Sequence, residues 1–221
     1  MPLLDHFHPP LSEQRHWEAF HGRWACALAD ALEKQLPPDY FAEVRLCVRP
    51  QTEMSEAEPV WTPPEPPLVI PAAFPDAIEV RIFSSSGGPT LVAAVELVSP
   101  RNKARPDVRR AFAAKGISYL SQGIGLVIVD VVTTHQANMH NEIITQLRLS
   151  ASFLLSADVS LYATAYRPVE REDGGEVHVW PYPLAVGAAL PVVPLALLEG
   201  PILPLDLEAA YTEARGRLRM P

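Results

Sequence analysis

Two apolar, β-prone runs separated by one segment of helical length constrain the fold more than any other feature of this sequence. The runs are residues 90–98 and 124–132, and each carries a single acid, Glu96 in the first and Asp130 in the second. Pro106, in the stretch between them, suits the first turn of a helix. Strands without a polar face are typical of sheet interiors covered on both sides. A strand, a helix and a strand of this size predict a right-handed crossover between parallel neighbours.

A β-hairpin is predicted directly before this crossover. Residues 78–82 alternate between apolar and charged side chains, which is typical of a half-buried strand. Residues 84–89 read SSSGGP, a turn by composition, and the first apolar run then returns as the second strand. The expected sheet is therefore mixed, with an antiparallel hairpin and one parallel neighbour in an α/β fold.

The segments before the hairpin predict a helix, a strand and a connector. Apolar residues recur at three- and four-residue steps after Ser12, which suits a helix N-cap, and Pro37 ends this amphipathic helix. Residues 40–48 alternate as a first strand. Residues 50–75 form a proline-rich connector, with seven prolines between Pro59 and Pro75, and cannot join a sheet interior.

The segments after the second apolar run are less regular. Residues 133–150 are polar and indicate a loop with a short helix around 141–149. Residues 159–166 and 177–182 predict a second hairpin, 183–204 an extended chain, and 206–217 a final helix. The length of 221 residues favours a single domain, 1–221, with its core at about 12–182 and proline-rich extensions.

Charge and cysteine content narrow the class of protein. No apolar run of 18 residues occurs, and the two cysteines match no zinc-site spacing. A cytoplasmic protein without a membrane partner is expected. The net charge of −8 argues against a protein that coats nucleic acid through a uniformly basic surface.

The positive charge is concentrated in one stretch. Residues 101–115 hold six bases and one acid, Asp107, which leaves 12 bases and 25 acids among the other 206 residues. A solvated loop and helix face is one interpretation, and a surface for the phosphates of DNA or RNA is the other. The nucleic-acid-binding candidates are Arg101, Lys103, Arg105, Arg109 and Arg110.

The hairpin could bring two acids together. A tight turn at residues 85–88 would place Glu79 opposite Ala94, with Glu96 two residues further along on the same face, roughly 7 Å away at the backbone. Two carboxylates at that spacing can share a hard cation such as Mg²⁺ or Mn²⁺. Lys103 or Lys115 could then stabilise negative charge on a phosphoryl group.

Structural interpretations of the same residues stay open. Glu96 could be a buried acid paired to Arg81, and Glu79 could be a solvated acid on the polar side of its strand. Asp130 could belong to the site or act as a structural, helix-capping acid, and the second is favoured. Trp17 and His21 share a helical face, which favours a core histidine stacked on tryptophan over a metal ligand.

A longer motif gives a family resemblance. Residues 96–103 read ELVSPRNK and resemble the signature ELLSPxNK of an uncharacterised bacterial family, domain of unknown function 4058. The similarity continues at Trp17 with His21, at Leu36-Pro37 before Tyr40, at 78–81, and at 190–194 before 205–207, and so covers nearly the whole chain.

More distantly, Glu96, Lys115, Tyr119 and Asp130 stand in a pattern that resembles the Uma-type endonucleases of the PD-(D/E)XK superfamily. That resemblance implies a restriction endonuclease-like α-β-β-β-α-β core, with Glu79 or Asp76 as the first metal-binding acid and Glu96 as the second. The superfamily lysine two residues after the second acid is replaced by Val98. Relatives of the Uma type carry the lysine on the following helix, which implies Lys115.

The expected function is that of a Mg²⁺- or Mn²⁺-dependent nuclease-like protein acting on DNA or RNA. Its metal ligands would be Glu79 and Glu96, and Lys115 and Lys103 would be the further catalytic candidates. The alternatives are a catalytically inactive nucleic-acid-binding protein of the same fold and an interaction scaffold. A homodimer is an open possibility for the assembly.

Overall fold

The computed structural model describes residues 2–47, 77–171, 174–218 and 220. The proline-rich connector predicted at 50–75, and with it Asp76, lies outside the described residues. In the described part no helix is long and apolar enough to cross a membrane.

A six-stranded sheet forms the centre of the fold, with each strand next to its neighbours in sequence. Only β3 and β4 run parallel, and the other neighbouring strands are antiparallel. The predicted mixed sheet, the first hairpin and the parallel crossover are therefore confirmed. The strands are β1 (Tyr40–Cys47), β2 (Ala77–Ser84), β3 (Thr90–Leu97), β4 (Gly125–Asp130), β5 (Tyr162–Arg171) and β6 (Gly174–Pro183).

Helices and a small second sheet complete the described part. The helices are α1 (Leu11–Gln14), α2 (Trp17–Glu33), α3 (Pro100–Ala104), α4 (Pro106–Ser121), α5 (Met139–Gln146) and α6 (Leu207–Arg217), with a 3₁₀ turn at Ala151–Phe153. Within the stretch predicted as extended, β7 (Val192–Ala196) pairs antiparallel with β8 (Ile202–Asp206).

The crossover from β3 to β4 contains one helix more than predicted. The loop expected after Ser99 is the five-residue helix α3, with Pro100 in its first turn. Ser99 and Asn102 form a reciprocal capping box, in which each side chain satisfies a backbone N–H of the other residue. The helix starts where it does because Ser, Pro and Asn together satisfy the conditions for a helix N-terminus.

Two apolar cores lie on the two faces of the sheet. Helices α2 and α6 cover one face, where Phe20, Trp24 and Tyr211 are fully buried. The ring of Tyr211 stands edge-on to Phe20 and Trp24, at centroid distances of 5.2 and 5.3 Å, and its hydroxyl contacts His6 Nε2 at 2.7 Å. Helices α2 and α6 thus share one aromatic cluster, and the stripe predicted for the first helix is its buried face.

Helices α4 and α5 cover the opposite face, with Phe112 and Met139 in the second core. Because side chains alternate along a strand, Val95 and Leu97 of β3 belong to the first core, whereas Ala94 and Val98 belong to the second. Glu96 lies between Ala94 and Val98 in this alternation. It therefore faces α4.

The register of the first hairpin differs from the prediction. Glu79 lies opposite Glu96 and not opposite Ala94. One residue of the difference arises at the turn, where Ser84 and not Phe83 lies opposite Thr90, and a second arises where the pairing shifts by one residue between Ile82 and Phe83. Such an irregularity changes which residues face each other without changing the composition of the turn. The total displacement is two residues, so the two acids remain on the same face and come closer than expected.

Candidate functional site

Three charged residues form a row across the first three strands. Arg45 of β1 is the register partner of Glu79 of β2, and Glu79 is in turn the partner of Glu96 of β3. Directly opposite residues project to the same face of a sheet, and their Cβ atoms lie about 5 Å apart. Both glutamates are almost completely buried, at 1% and 2% exposure, whereas the Arg45 side chain is 49% exposed.

Lys115 of α4 reaches both glutamates from above the sheet. Its Nζ lies 2.5 Å from Oε1 of Glu96 and 3.3 Å from Oε2 of Glu79. The crossover places it there, because α4 follows β3 and packs back over the face on which Glu96 lies. Burial at this position costs little, since the ammonium is paired with carboxylates.

Glu79 is held by four donor groups. Arg81 Nε lies 2.6 Å from Oε1, and Arg45 approaches the same oxygen at 3.6 Å. Oε2 accepts a hydrogen bond from the Tyr119 hydroxyl at 3.1 Å and another from Lys115. Arg81 also donates to the Tyr119 hydroxyl at 3.1 Å. Glu79 is therefore the anion around which the cations of the site are assembled.

Glu96 has fewer partners than Glu79. Its only ion pair among the described residues is with Lys115 on Oε1, and no hydrogen bond of good angular geometry reaches either of its oxygens there. The sequence alternative that paired Glu96 with Arg81 is not what the structure shows, because Arg81 contacts Glu79. Oε2 of Glu96 is buried and has no ion-pair partner among the described residues.

The two acids differ in proton affinity. Burial pushes the pKa of Glu79 upward, but the facing Glu96 carboxyl and the charges of Lys115 and Arg81 outweigh it and bring the pKa to about 2. Burial raises the pKa of Glu96 to about 8 against the attraction of Lys115. The shifts in opposite directions mean that Glu96 is the carboxyl of the pair that takes up a proton more readily.

The donor chemistry of the pair fits a hard divalent cation. Mg²⁺ is commonly bound by one or two carboxylates, with water and substrate oxygens completing its coordination. Glu79 and Glu96 supply two facing carboxylates, both of them buried. Among the described residues no group of three or more His, Cys, Asp or Glu side chains stands ready for a metal. Any ion held here would therefore take most of its ligands from outside these side chains.

Lys103 belongs to a different ion pair. Its Nζ lies 2.9 and 3.1 Å from the two carboxylate oxygens of Asp130 and also donates to the carbonyls of Val132 and Ser160, at 3.3 and 3.4 Å. Lys103 is 1% exposed and Asp130 is fully buried. Helix α3 aims this side chain at the end of β4, so Lys115 is the lysine that the fold brings to the glutamates. Asp130 does not cap a helix, as the favoured interpretation expected, but pairs with Lys103 and accepts a hydrogen bond from the Val132 N–H.

The basic stretch does not form one continuous cationic surface. Arg105 pairs with Asp107, and Arg109 pairs with Glu142 of α5 at 2.9 Å. Lys103 is buried and cannot contact a ligand in this conformation. Arg101 and Arg110 are exposed. Most of the charge that is concentrated in the sequence is therefore neutralised locally in the fold.

Arg45 is the site residue that the sequence analysis missed. It lies on the far side of the connector from Glu79, and only the pairing of β1 with β2 brings the two together. The alternation of residues 40–48 put Arg45 on a polar face but could not show which acid lies opposite. The prediction for His21 is confirmed, since it is buried, stacks on Trp17 at 4.8 Å and contacts the Leu97 carbonyl.

No family model, no curated protein and no solved structure matches this chain.

Proposed function

We propose that the chain is a metal-dependent nuclease-like protein that hydrolyses phosphodiester bonds. The observation that carries the proposal is the direct pairing of Glu79 with Glu96 and the position of the Lys115 ammonium between them. The order α2-β1-β2-β3-α4-β4, with α3 added before α4, supports a restriction endonuclease-like core. The proposal includes kinship with the Uma-type endonucleases and with the uncharacterised family whose signature resembles residues 96–103.

In this proposal Glu79 and Glu96 hold Mg²⁺ or Mn²⁺. The ion, when bound, polarises a phosphoryl oxygen and lowers the pKa of a water ligand. The protein contributes three further functions. Glu96 supplies the carboxylate that has fewer donors than Glu79, Lys115 would stabilise negative charge on the phosphoryl group, and Arg81 with Tyr119 keeps Glu79 in place.

One observation favours a second candidate, a nucleic-acid-binding protein of the same fold without catalysis. Both oxygens of Glu79 are already engaged by donors, and the position two residues after Glu96 is the buried Val98. A cation entering the site must displace at least one donor from Glu79. If that displacement costs more than the ion gains, the site remains an assembly of internal ion pairs.

Calorimetric titration with Mn²⁺ separates the two candidates. Glu96→Gln keeps the shape of the side chain and removes its charge, and Glu43→Gln, an exposed acid on the same face of β1, is the matched control. The proposal expects saturable Mn²⁺ binding in the wild type, a loss of at least about tenfold in affinity for Glu96→Gln, and no change for the control.

Cleavage of single-stranded and duplex DNA and of RNA is measured in parallel. Cleavage that requires Mn²⁺ and is abolished in Glu96→Gln supports the nuclease. Salt-sensitive nucleic-acid binding without any metal binding supports the second candidate. The absence of both activities would sink both and leave the interaction scaffold.

A further inference from the structure

We infer that Arg45 is a phosphate-binding residue, which holds a nucleic-acid strand by a phosphate neighbouring the one at the glutamates. The inference rests on the proposed function for the identity of the ligand. It concerns a residue outside the motif that resembles the endonuclease families, on the edge strand β1.

The first support is the position of Arg45 in the sheet. β1 is the last strand on its side of the six-stranded sheet, and α2 packs on the face opposite to the site. Neighbouring strands are about 4.8 Å apart, so the Arg45 backbone lies about 10 Å from that of Glu96. A ligand that enters the row from the β1 side meets Arg45 before it meets the glutamates.

The second support is that Arg45 is weakly engaged. Its one described ion pair is the 3.6 Å approach to Oε1 of Glu79, and almost half of its side chain is exposed. A guanidinium carries five N–H donors in a fixed fork that matches phosphate oxygens. Long, exposed ion pairs contribute little to stability. About half of the Arg45 side chain is therefore accessible to a ligand in this conformation.

The third support is that Glu79 does not need Arg45. When Arg45 turns to a ligand, Glu79 keeps Arg81 at 2.6 Å, Tyr119 at 3.1 Å and Lys115 at 3.3 Å. The buried carboxylate stays neutralised, so recruitment of Arg45 leaves no unpaired charge behind.

The charges around Arg45 are mixed, which defines what it can contribute. Glu43, two residues earlier on the same face, is exposed and lies opposite Arg81. This side of the site is therefore not a general cationic surface that would attract any polyanion. Arg45 supplies one directed contact, and a single phosphate is the ligand group that suits it.

The test measures binding of a labelled single-stranded oligonucleotide by fluorescence anisotropy in EDTA, where no metal-dependent cleavage occurs. The proteins are the wild type, Arg45→Ala, Arg45→Lys and the control Arg23→Ala, an exposed arginine on α2. Each affinity is measured between about 50 and 200 mM salt. Loss of one phosphate contact reduces the slope of log affinity against log salt by about 0.7 for a single strand.

We expect Arg45→Ala to weaken binding about three- to tenfold and to show this smaller slope. Arg45→Lys should retain the slope because it retains the charge, and Arg23→Ala should match the wild type. An unchanged slope in Arg45→Ala, an equal effect of Arg23→Ala, or no binding by the wild type would each overturn the inference. Circular dichroism spectra confirm that the variants are folded.

The outcomes separate this inference from the proposed function. A wild type that binds with an Arg45-dependent slope but never cleaves in Mn²⁺ contradicts the nuclease and leaves the phosphate contact standing. If the wild type cleaves and Arg45→Ala changes neither the KM nor the salt slope, the phosphate contact is contradicted and the nuclease proposal stands.

Discussion

Replacement of Lys103 by methionine should destabilise the fold strongly and in a pH-dependent way. Methionine keeps most of the apolar stem and removes the ammonium that neutralises Asp130. Asp130 then retains one described hydrogen bond, from the Val132 N–H at 3.1 Å. Removal of one partner of a buried ion pair typically costs about 3–5 kcal/mol.

Proton uptake limits this cost. Burial already raises the pKa of Asp130 to about 6, although Lys103 is beside it, and without Lys103 the pKa rises further. Keeping a carboxyl with an unfolded pKa near 3.9 neutral at pH 7 costs about 4 kcal/mol, from 1.36 kcal/mol per unit. We therefore expect Lys103→Met to lower the free energy of unfolding by about 3–4 kcal/mol at pH 7.

The sign of the pH dependence follows from proton binding. In the variant, folded Asp130 holds a proton that the unfolded chain releases above about pH 4, so stability rises as pH falls. The wild type gains less over the same range, because its Asp130 becomes protonated only as pH falls through about 6. The deficit of the variant should therefore shrink by about 1 kcal/mol between pH 7 and pH 5.

Urea denaturation followed by tryptophan fluorescence, to which the buried Trp24 contributes, measures both effects. Lys34→Met, at the exposed end of α2, is the control and should stay within about 0.5 kcal/mol of the wild type. The double variant Lys103→Met/Asp130→Asn should cost less than the sum of the single changes, because neither charge is left unpaired. A Lys103→Met protein as stable as the wild type, or a deficit that grows at low pH, would refute the reasoning.

Two further substitutions test the packing of the fold by urea denaturation. Gly125→Ala would place a Cβ 1.9 Å from the Ala196 carbonyl oxygen and should lower the free energy of unfolding by about 3 kcal/mol. The control Gly22→Ala lies in open space on α2 and should raise it by up to about 1 kcal/mol. Equal effects of the two substitutions would contradict the close approach of β4 and β7. Asp206→Ala removes the side chain that accepts from the Ala209 N–H at the start of α6 and should cost about 1 kcal/mol, with Asp206→Asn as the control that retains most of it.

The central elements could be predicted because their patterns are local and unambiguous. Residues 78–82 alternate with period two, and residues 90–98 and 124–132 are apolar on both faces. An alternating strand buries one face, and a strand that is apolar on both faces lies in the interior of a sheet covered on both sides. The strands β2, β3 and β4 are placed in this way. The predicted hairpin register was wrong by two residues, because neither the exact pairing at the turn nor a one-residue irregularity in the strands leaves a trace in composition.

The candidate site could be predicted only in part. The prediction that Glu79 and Glu96 share one face of the sheet is correct although the register is wrong. Side chains alternate with a period of two, so a displacement of two residues returns each side chain to the same face. Sequence reasoning could not choose between Lys103 and Lys115, since both are within reach of the acids along the chain. The direction of α3, which sends Lys103 to Asp130, is decided by tertiary packing. Arg45 was missed because strand pairing across a long connector is not a local property.

The aromatic cluster shared by α2 and α6 has a consequence for synthesis of the protein. Phe20 and Trp24 are packed against Tyr211, which is translated almost 190 residues later. At a translation rate of about 5–20 residues per second, Tyr211 is synthesised roughly 10–40 s after α2. During that interval the apolar face of α2 has only the growing sheet to cover it. Closure of the first core therefore depends on α6, and the apolar face of α2 is more exposed to aggregation and to chaperones until α6 has been synthesised.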